Sequence, residues 1–192
     1  MTNRTRRFPV RVENEFARRH GQLIAGATGA VLDLDDPAAR ALLLDAMNDP
    51  DVEARFDAIV SVGQLIRFPD LLAAIRGMEN LLVPGGHLSI VEPIDPPGFL
   101  ATLATSLWAG TRPMRGFHLG RDVAATVRST GFVIDAIERF AIPAVIYPLR
   151  HAVNLGARRR HVFGSMETGE DVGENNANST NETTSRPTEA TR

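Results

Sequence analysis

The segment Phe56–Pro93, FDAIVSVGQLIRFPDLLAAIRGMENLLVPGGHLSIVEP, predicts a strand followed by a helix and a second strand. Residues 56–61 form a short, mostly apolar run with β-branched residues at its centre, which is typical of a strand buried on both faces. Pro69-Asp70 favours the start of a helix, because proline suits the first turn and an acid stabilises the positive end of the helix dipole. Apolar residues then recur at helical spacing up to Leu82.

The end of this helix is marked by Pro84-Gly85-Gly86. Proline cannot continue a helix and glycine accepts the positive φ of a helix C-terminus, so we expect the helix to stop here. Residues 87–91 then read as the second strand. Two strands joined by a helix should lie parallel with a right-handed crossover, and the predicted fold class is therefore α/β.

The composition excludes several kinds of chemistry. The chain has no cysteine, and all of its 21 basic residues are arginine, so disulfides, thiol nucleophiles, Cys-ligated metals, Schiff-base chemistry and a P-loop lysine are absent. Tyr147 is the single tyrosine, so a Tyr–Lys pair of the short-chain dehydrogenase kind cannot form. No metal ligands are predicted.

Length and charge restrict the class further. With 192 residues the chain is long enough for one domain with a substantial core. The net charge of −2 gives no reason to expect a nucleic-acid partner. No apolar run is long enough to span a membrane, and the polar N-terminus is unlike a signal peptide, so we expect a cytoplasmic protein. The oligomeric state is left open.

Three parts of the chain differ in composition. Residues 1–12 are an Arg-rich arm, 13–162 are the folded domain, and 163–192 are a polar, acidic tail that we expect to be disordered. Within the domain, residues 12–24 predict a helix and residues 99–108 predict a second, apolar helix.

Three short motifs occur in order along the chain: Phe56-Asp57-Ala58-Ile59-Val60-Ser61, Leu82-Val83-Pro84-Gly85-Gly86 and Glu92-Pro93. Together they resemble the second half of class I S-adenosylmethionine-dependent methyltransferases, in the type 11 branch that includes the ubiquinone/menaquinone-type and small-molecule enzymes. The resemblance implies a Rossmann-like sheet that is mostly parallel, with an antiparallel strand pair at its C-terminal end. Residues 151–157 would be the last antiparallel strand.

The N-terminal half departs from that family. Its first strand is expected to run into a glycine-rich loop, approximately VLDLGxGxG, whereas this chain reads VLDLDDP over residues 31–37. Glycine is needed in such a loop because the backbone approaches the cofactor closely. Only residues 35–55 separate the first strand from the FD strand. One or two N-terminal strands are therefore expected to be missing.

Two interpretations of residues 38–47 are open. In one, they form a helix that Asp36 caps and Pro37 begins. In the other, residues 41–46 are a strand, and Asp45 and Ala46 are the pair that the resemblance places against the adenine. If the helix is right, Asp33 or Asp35 could serve instead as the acid that binds the cofactor ribose.

The remaining candidate site residues follow predicted strands or lie in loops. Ser61, Gly63 and Gln64 come at or just beyond the carboxyl end of the FD strand, where ligands bind in open α/β sheets. The resemblance places His118 in a substrate-facing loop, and its unperturbed pKa suits a general base near neutral pH.

Two functions from different classes follow from this sequence. The favoured one is methyl transfer from S-adenosylmethionine to a small or lipid-like molecule, provided that the shortened site still binds the cofactor. The alternative is a catalytically inactive methyltransferase-fold protein that acts as a binding or interaction module. A nicotinamide-binding Rossmann protein is disfavoured, because no G-x-G-x-x-G follows the first strand. The side-chain positions of Asp35, Asp36 and Pro37 should discriminate between the first two.

Overall fold

The computed structural model describes residues 8–49, 51–53, 55–94, 117–145 and 149–160. The predicted helix over residues 99–108 and the predicted disordered tail over 163–192 lie outside these ranges, as do the first seven residues of the predicted arm. None of the helices within them has the length and apolar character that crossing a membrane requires.

The described residues form helices and strands in alternation. In chain order these are α1 (Val10–Gly26), β1 (Val31–Asp33), α2 (Pro37–Asn48), β2 (Phe56–Val62), α3 (Leu71–Leu81), β3 (Leu82–Pro93), α4 (Val123–Arg128), β4 (Phe132–Ala141) and β5 (His151–Arg159), with a short 3-10 turn (Leu65–Arg67) between β2 and α3.

The five strands make one sheet in the order β1-β2-β3-β5-β4. β1, β2 and β3 pair in parallel, and β5 is antiparallel to both β3 and β4. Four strands therefore share one direction and β5 runs against them. This arrangement confirms the predicted α/β fold. The sheet is mostly parallel, is shortened at its N-terminal side and has an antiparallel pair at its C-terminal end.

The open question about residues 38–47 is answered by α2. The Asp36 carboxylate caps this helix by accepting a hydrogen bond from the Ala38 N–H at 2.9 Å, and Pro37 occupies the first turn. Leu43 and Ala46 on the inner face of α2 are buried in the core cluster that also contains α3 residues. The interpretation of residues 41–46 as a strand is therefore wrong. The helix forms because its N-terminal cap and the helical spacing of its apolar residues both favour it.

The boundary between α3 and β3 also differs from the prediction. The helix ends at Leu81, and Leu82 is already extended and paired with Phe56, so Pro84-Gly85-Gly86 lies inside the β3 span rather than ending the helix. Pairing resumes with His87 opposite Ala58, which leaves four residues of β3 looped out of the regular register. Gly85 has a φ of 81°, which is why glycine suits that loop.

Helices cover the two faces of the sheet unequally. Core residues of α2, α3 and α4 pack with Ile59, Leu88 and Ile90 on one face. Residues of α1 pack with Val60 and Val62 on the other. Because the order β1-β2-β3 advances in one direction, right-handed crossovers place α2 and α3 on the same face. In the described sheet, β1 is an edge strand.

Candidate functional site

The carboxyl ends of β1 and β2 bring three of the predicted site residues together. Asp33 ends β1, Asp35 follows it, and Gln64 follows β2. The Gln64 amide nitrogen donates to the Asp35 carboxylate at 2.5 Å. The Arg40 guanidinium, which reaches back from α2, donates to the Gln64 amide oxygen at 3.1 Å. These contacts join β1, α2 and β2 by side chains alone.

The helix α1 adds His20 to the same corner. Its Nε2 lies 2.9 Å from the Asp33 Oδ2 and 3.9 Å from the Asp35 Oδ2. The other Asp33 oxygen accepts the Asp35 N–H at 3.0 Å. His20, Asp33 and Asp35 could reach a common cation, since their ligand atoms lie within 4.8 Å of one another. Hydrogen bonds among them and to Gln64 account for the same arrangement without a metal.

Gly63 lies beneath two aromatic rings. It has a φ of +65°, and a Cβ built on it would come within 2.8 Å of the Phe8 ring and 2.9 Å of the Phe16 ring. Those rings meet edge to face, with centroids 5.4 Å apart. The surface over the end of β2 is therefore covered by the start of α1 and the residues before it. We call the site formed by Asp33, Asp35, Gly63, Gln64 and these covering side chains the closed corner.

Three of the predicted site residues do not face that corner as expected. Asp45 and Ala46 both lie on α2, so neither follows a strand. Asp45 is exposed, and Ala46 is buried in the core beside it. Ser61 is fully buried within β2, and among the described residues its hydroxyl has no hydrogen-bond partner. The roles proposed for Asp45 and Ala46 depended on the strand interpretation and lose that support.

His118 lies apart from the closed corner, beyond the end of β3. Its backbone N–H donates to the Ile66 carbonyl at 2.7 Å, which fixes the loop against the 3-10 turn. Burial, with a smaller contribution from the positive charge of Arg121, lowers the pKa of the His118 imidazole. With Arg121 and Glu92, His118 lines a small cavity of about 10 Å³, roughly the space of one water molecule.

Glu92 is a buried carboxylic acid at the end of β3. Its oxygens accept hydrogen bonds from the backbone N–H groups of Leu65 at 2.6 Å and Ile66 at 3.3 Å. Burial raises the pKa of Glu92 to about 8, against the opposing effect of these backbone hydrogen bonds. The sequence marked Glu92 only as part of the Glu92-Pro93 motif. An apolar strand gives no signal that its single acid is buried.

A larger cavity, of about 330 Å³, lies beside the same end of the sheet. Its walls come from the residue after β3, the start of α4 and the two antiparallel strands. The lining residues are Ile94, Gly120, Arg121, Asp122, Val123, Ala124, Arg139 and Val153. Sequence reasoning missed this site, because its residues come from four separate segments that only the sheet order brings together.

S-adenosylmethionine, the cofactor that the resemblance implies, does not fit the closed corner. The glycine-rich loop is replaced by Asp35, Asp36 and Pro37, and the backbone passes directly into α2. Asp36 turns away to cap that helix, whereas the exposed Asp35 carboxylate accepts a hydrogen bond from Gln64. Ligand crevices in open α/β sheets form where the strand order reverses, and the order from β1 to β3 does not.

No protein-family model and no curated protein matches the chain. Among solved structures, it is similar to the 1,6-didemethyltoxoflavin-N1-methyltransferase of Burkholderia thailandensis, with 18% identity over 79% of each chain and a TM-score of 0.48. It is also similar to the N-methyltransferase NodS of Bradyrhizobium japonicum, with 18% identity over 60% of this chain and 51% of that one, and a TM-score of 0.42.

A third similar structure is the [4+2]-cyclase SpnF, with 21% identity over 60% of this chain and 54% of that one, and a TM-score of 0.43. The chain therefore spans about half the length of NodS and SpnF. At these identities and TM-scores, the three likenesses carry no argument about activity or ligand.

Proposed function

We propose that this protein is a methyltransferase-fold binding module that does not hold S-adenosylmethionine at the carboxyl end of its first strand. The observation that carries the proposal is the closed corner. Phe8 and Phe16 cover Gly63, and Asp35 is bound to Gln64 where the glycine-rich loop is expected. A cofactor would have to displace these protein contacts before it could approach the backbone.

The electrostatics of the corner support the same proposal. Asp33 and Asp35 place two carboxylates within hydrogen-bond reach of His20 and Gln64. The carboxylate of S-adenosylmethionine would meet negative charge there, and like charges at short range are unfavourable. Two arginines lie near these acids. The Arg40 guanidinium is already directed to the Gln64 oxygen and to backbone carbonyls of Leu34 and Asp35, and the Arg67 guanidinium lies over the Phe8 ring, 5.6 Å from its centroid.

Methyl transfer is the competing function, and one observation favours it. Asp33 keeps an acid at the end of the first strand, and its side chain is only partly buried. In the enzyme reading, Asp33 or Asp35 would accept the cofactor ribose hydroxyls, and a small or lipid-like acceptor would lie near His118. This reading requires the closed corner to open by moving α1.

Calorimetric titration of the full chain with S-adenosylmethionine and S-adenosylhomocysteine tests the choice. We expect no saturable heat with either compound at high protein concentration, since binding would first have to break the closed corner. A fluorescence or dichroism spectrum of the same sample shows that the protein is folded. Micromolar binding of either compound would overturn the proposal.

If binding is seen, two variants locate it. Asp35→Ala removes a closed-corner carboxylate, whereas Asp45→Ala removes an exposed one on α2. Loss of affinity in Asp35→Ala with none in Asp45→Ala would place the cofactor at the end of β1 and support the enzyme. A methyl-transfer assay with labelled cofactor would then identify the acceptor.

A further inference from the structure

We propose that the cavity at the end of β3 binds a small organic anion that has an apolar body. This inference rests on the proposed function and names a ligand for it at a second place on the same sheet edge. The cavity volume of about 330 Å³ falls in the range of small-molecule sites in proteins, which begins near ~300 Å³.

The apolar part of the cavity provides a surface for the body of the ligand. Aliphatic side chains come from the residue after β3, from α4 and from β5: Ile94, Val123, Ala124 and Val153. Val123, Ala124 and Val153 are anchored in the main hydrophobic core, so this wall is backed by packed structure rather than by solvent. Covering it with an apolar group removes water from both surfaces, which is favourable.

Two arginines make the polar part of the cavity positive. The Arg121 guanidinium donates to the carbonyl oxygens of Phe68 at 2.7 Å and Pro69 at 2.8 Å. These neutral acceptors fix its position without cancelling its charge. Arg139 on β4 is exposed and forms no ion pair within the described residues. An anionic head group would give Arg139 a charge-assisted hydrogen bond.

The acids near the cavity offset this charge only in part. The Asp122 carboxylate accepts a hydrogen bond from the Ala125 N–H at 2.9 Å and is directed to the start of α4. Burial raises the pKa of Glu92 to about 8, so at neutral pH this acid is mostly uncharged. Glu92 lines the small cavity behind Arg121 and Val123, which both cavities share. Asp70 also acts on Arg121 from outside the cavity. Among the residues that line the cavity, two arginines face one aspartate, so the lining is net positive on an apolar background.

The test uses probes that separate the head group from the body. Octanoate and octyl phosphate carry both, octanol carries only the apolar body, and acetate carries only the charge. Binding is followed by calorimetry and by NMR shifts of the residues that line the cavity. We expect octanoate or octyl phosphate to bind measurably more tightly than octanol and acetate, with shifts at Ile94 and Val123.

A pair of arginine variants locates the anion. Arg139→Gln should weaken binding of the anionic probe by about tenfold, the usual size of one charge-assisted hydrogen bond. Arg128→Gln is the matched control, because Arg128 is also an exposed arginine and lies at the far end of α4, but does not line the cavity. Arg139→Lys should restore part of the affinity.

Each outcome decides the inference. Equal affinity for octanol and octanoate, an equal effect of both arginine variants, or no binding of any probe would overturn it. If no probe binds and the S-adenosylmethionine titration also gives no heat, the inference about this ligand is refuted while the proposed function is retained. Binding of S-adenosylmethionine at the closed corner would instead remove the proposed function, whatever the probes do.

Discussion

The two ends of the same sheet edge have opposite characters. Phe8 and Phe16 cover the carboxyl end of β2, and Asp35, Gln64 and Arg40 tie the ends of β1 and β2 together. At the end of β3, the described residues line a cavity that has apolar walls and two arginines. The same α/β architecture supports both, so the side chains that follow each strand, and not the sheet, decide where a ligand can enter.

The difference follows from how the chain leaves each strand. After β1 it turns directly into α2, and the residues of that turn are used for a helix cap and for side-chain contacts. Beyond β3, the sheet continues with β5 and then β4, on the side of β3 away from β2. The residues after β1 are thus committed to contacts within the protein, and these contacts fill the space above that strand.

The largest expected effect comes from crowding the closed corner. Gly63→Ala should destabilise the protein by about 2–4 kcal/mol, because the positive φ disfavours a Cβ and the added methyl meets both aromatic rings. Urea unfolding measures the change. Gly21→Ala in α1 is the control, since an added Cβ there has no neighbour within 4 Å, and it should be neutral or slightly stabilising. Equal stability of the two variants would show that Phe8 and Phe16 do not cover Gly63.

A second prediction concerns the buried acid between the two regions. The pKa of Glu92 is raised from 4.5 to about 8 in the folded state. The stabilising contribution of this group is therefore complete below the pKa that Glu92 has in the unfolded chain, and it is lost as the pH rises towards the pKa in the folded state. Between about pH 4.5 and 8, the contribution of this group to the free energy of unfolding should therefore fall as the pH rises, by on the order of 1 kcal/mol per pH unit. Other groups add their own pH dependence, so a variant is needed to isolate that of Glu92.

Glu92→Gln provides that comparison, since glutamine keeps the shape and an acceptor for the Leu65 N–H. We expect the variant to unfold with a flatter pH dependence than the parent, and to gain relative stability above neutral pH. Urea unfolding at several pH values measures both curves. Parallel curves would mean that Glu92 ionises normally and that the open end of the sheet carries more negative charge than we infer.

A smaller effect is expected from the cap that directs the chain away from β1. Asp36→Ala should cost about 1 kcal/mol, the typical value of a helix N-cap. Asp45→Ala removes an exposed acid later in the same helix. Its carboxylate makes no hydrogen bond within the described residues, so stability should change by less than about 0.5 kcal/mol. Chemical unfolding of both variants sharpens the account of α2. A large loss of stability in Asp45→Ala would show that Asp45 has a structural role.

Much of the fold could be predicted from sequence because its signals are local. The apolar run of β2, the periodicity of α3 and the Asp36-Pro37 start of α2 each depend on neighbouring residues. Where local signals competed, as at Pro84-Gly85-Gly86, the prediction was wrong by a few residues. There, pairing of Leu82 with Phe56 ended the helix before the proline could.

The candidate site could be predicted only in part. Asp35 and Gln64 were named because each follows a strand, and they do meet. Their partners His20 and Arg40 lie on helices, where a polar residue gives no sign of the direction it faces. The cavity at β3 was not foreseen, because no local pattern shows which strands will become neighbours.

The sequence by itself determined the fold class, the shortening of the N-terminal half and the loss of the glycine-rich loop, since these depend on residue type and spacing. Only the tertiary structure decided that Phe8 and Phe16 cover Gly63, that Glu92 is buried with a raised pKa, and that residues from four segments line a cavity at the end of β3. The physical reason is that burial and electrostatic environment arise from contacts between distant segments. Those contacts exist only once β5 has inserted between β3 and β4 and α1 has packed across the sheet.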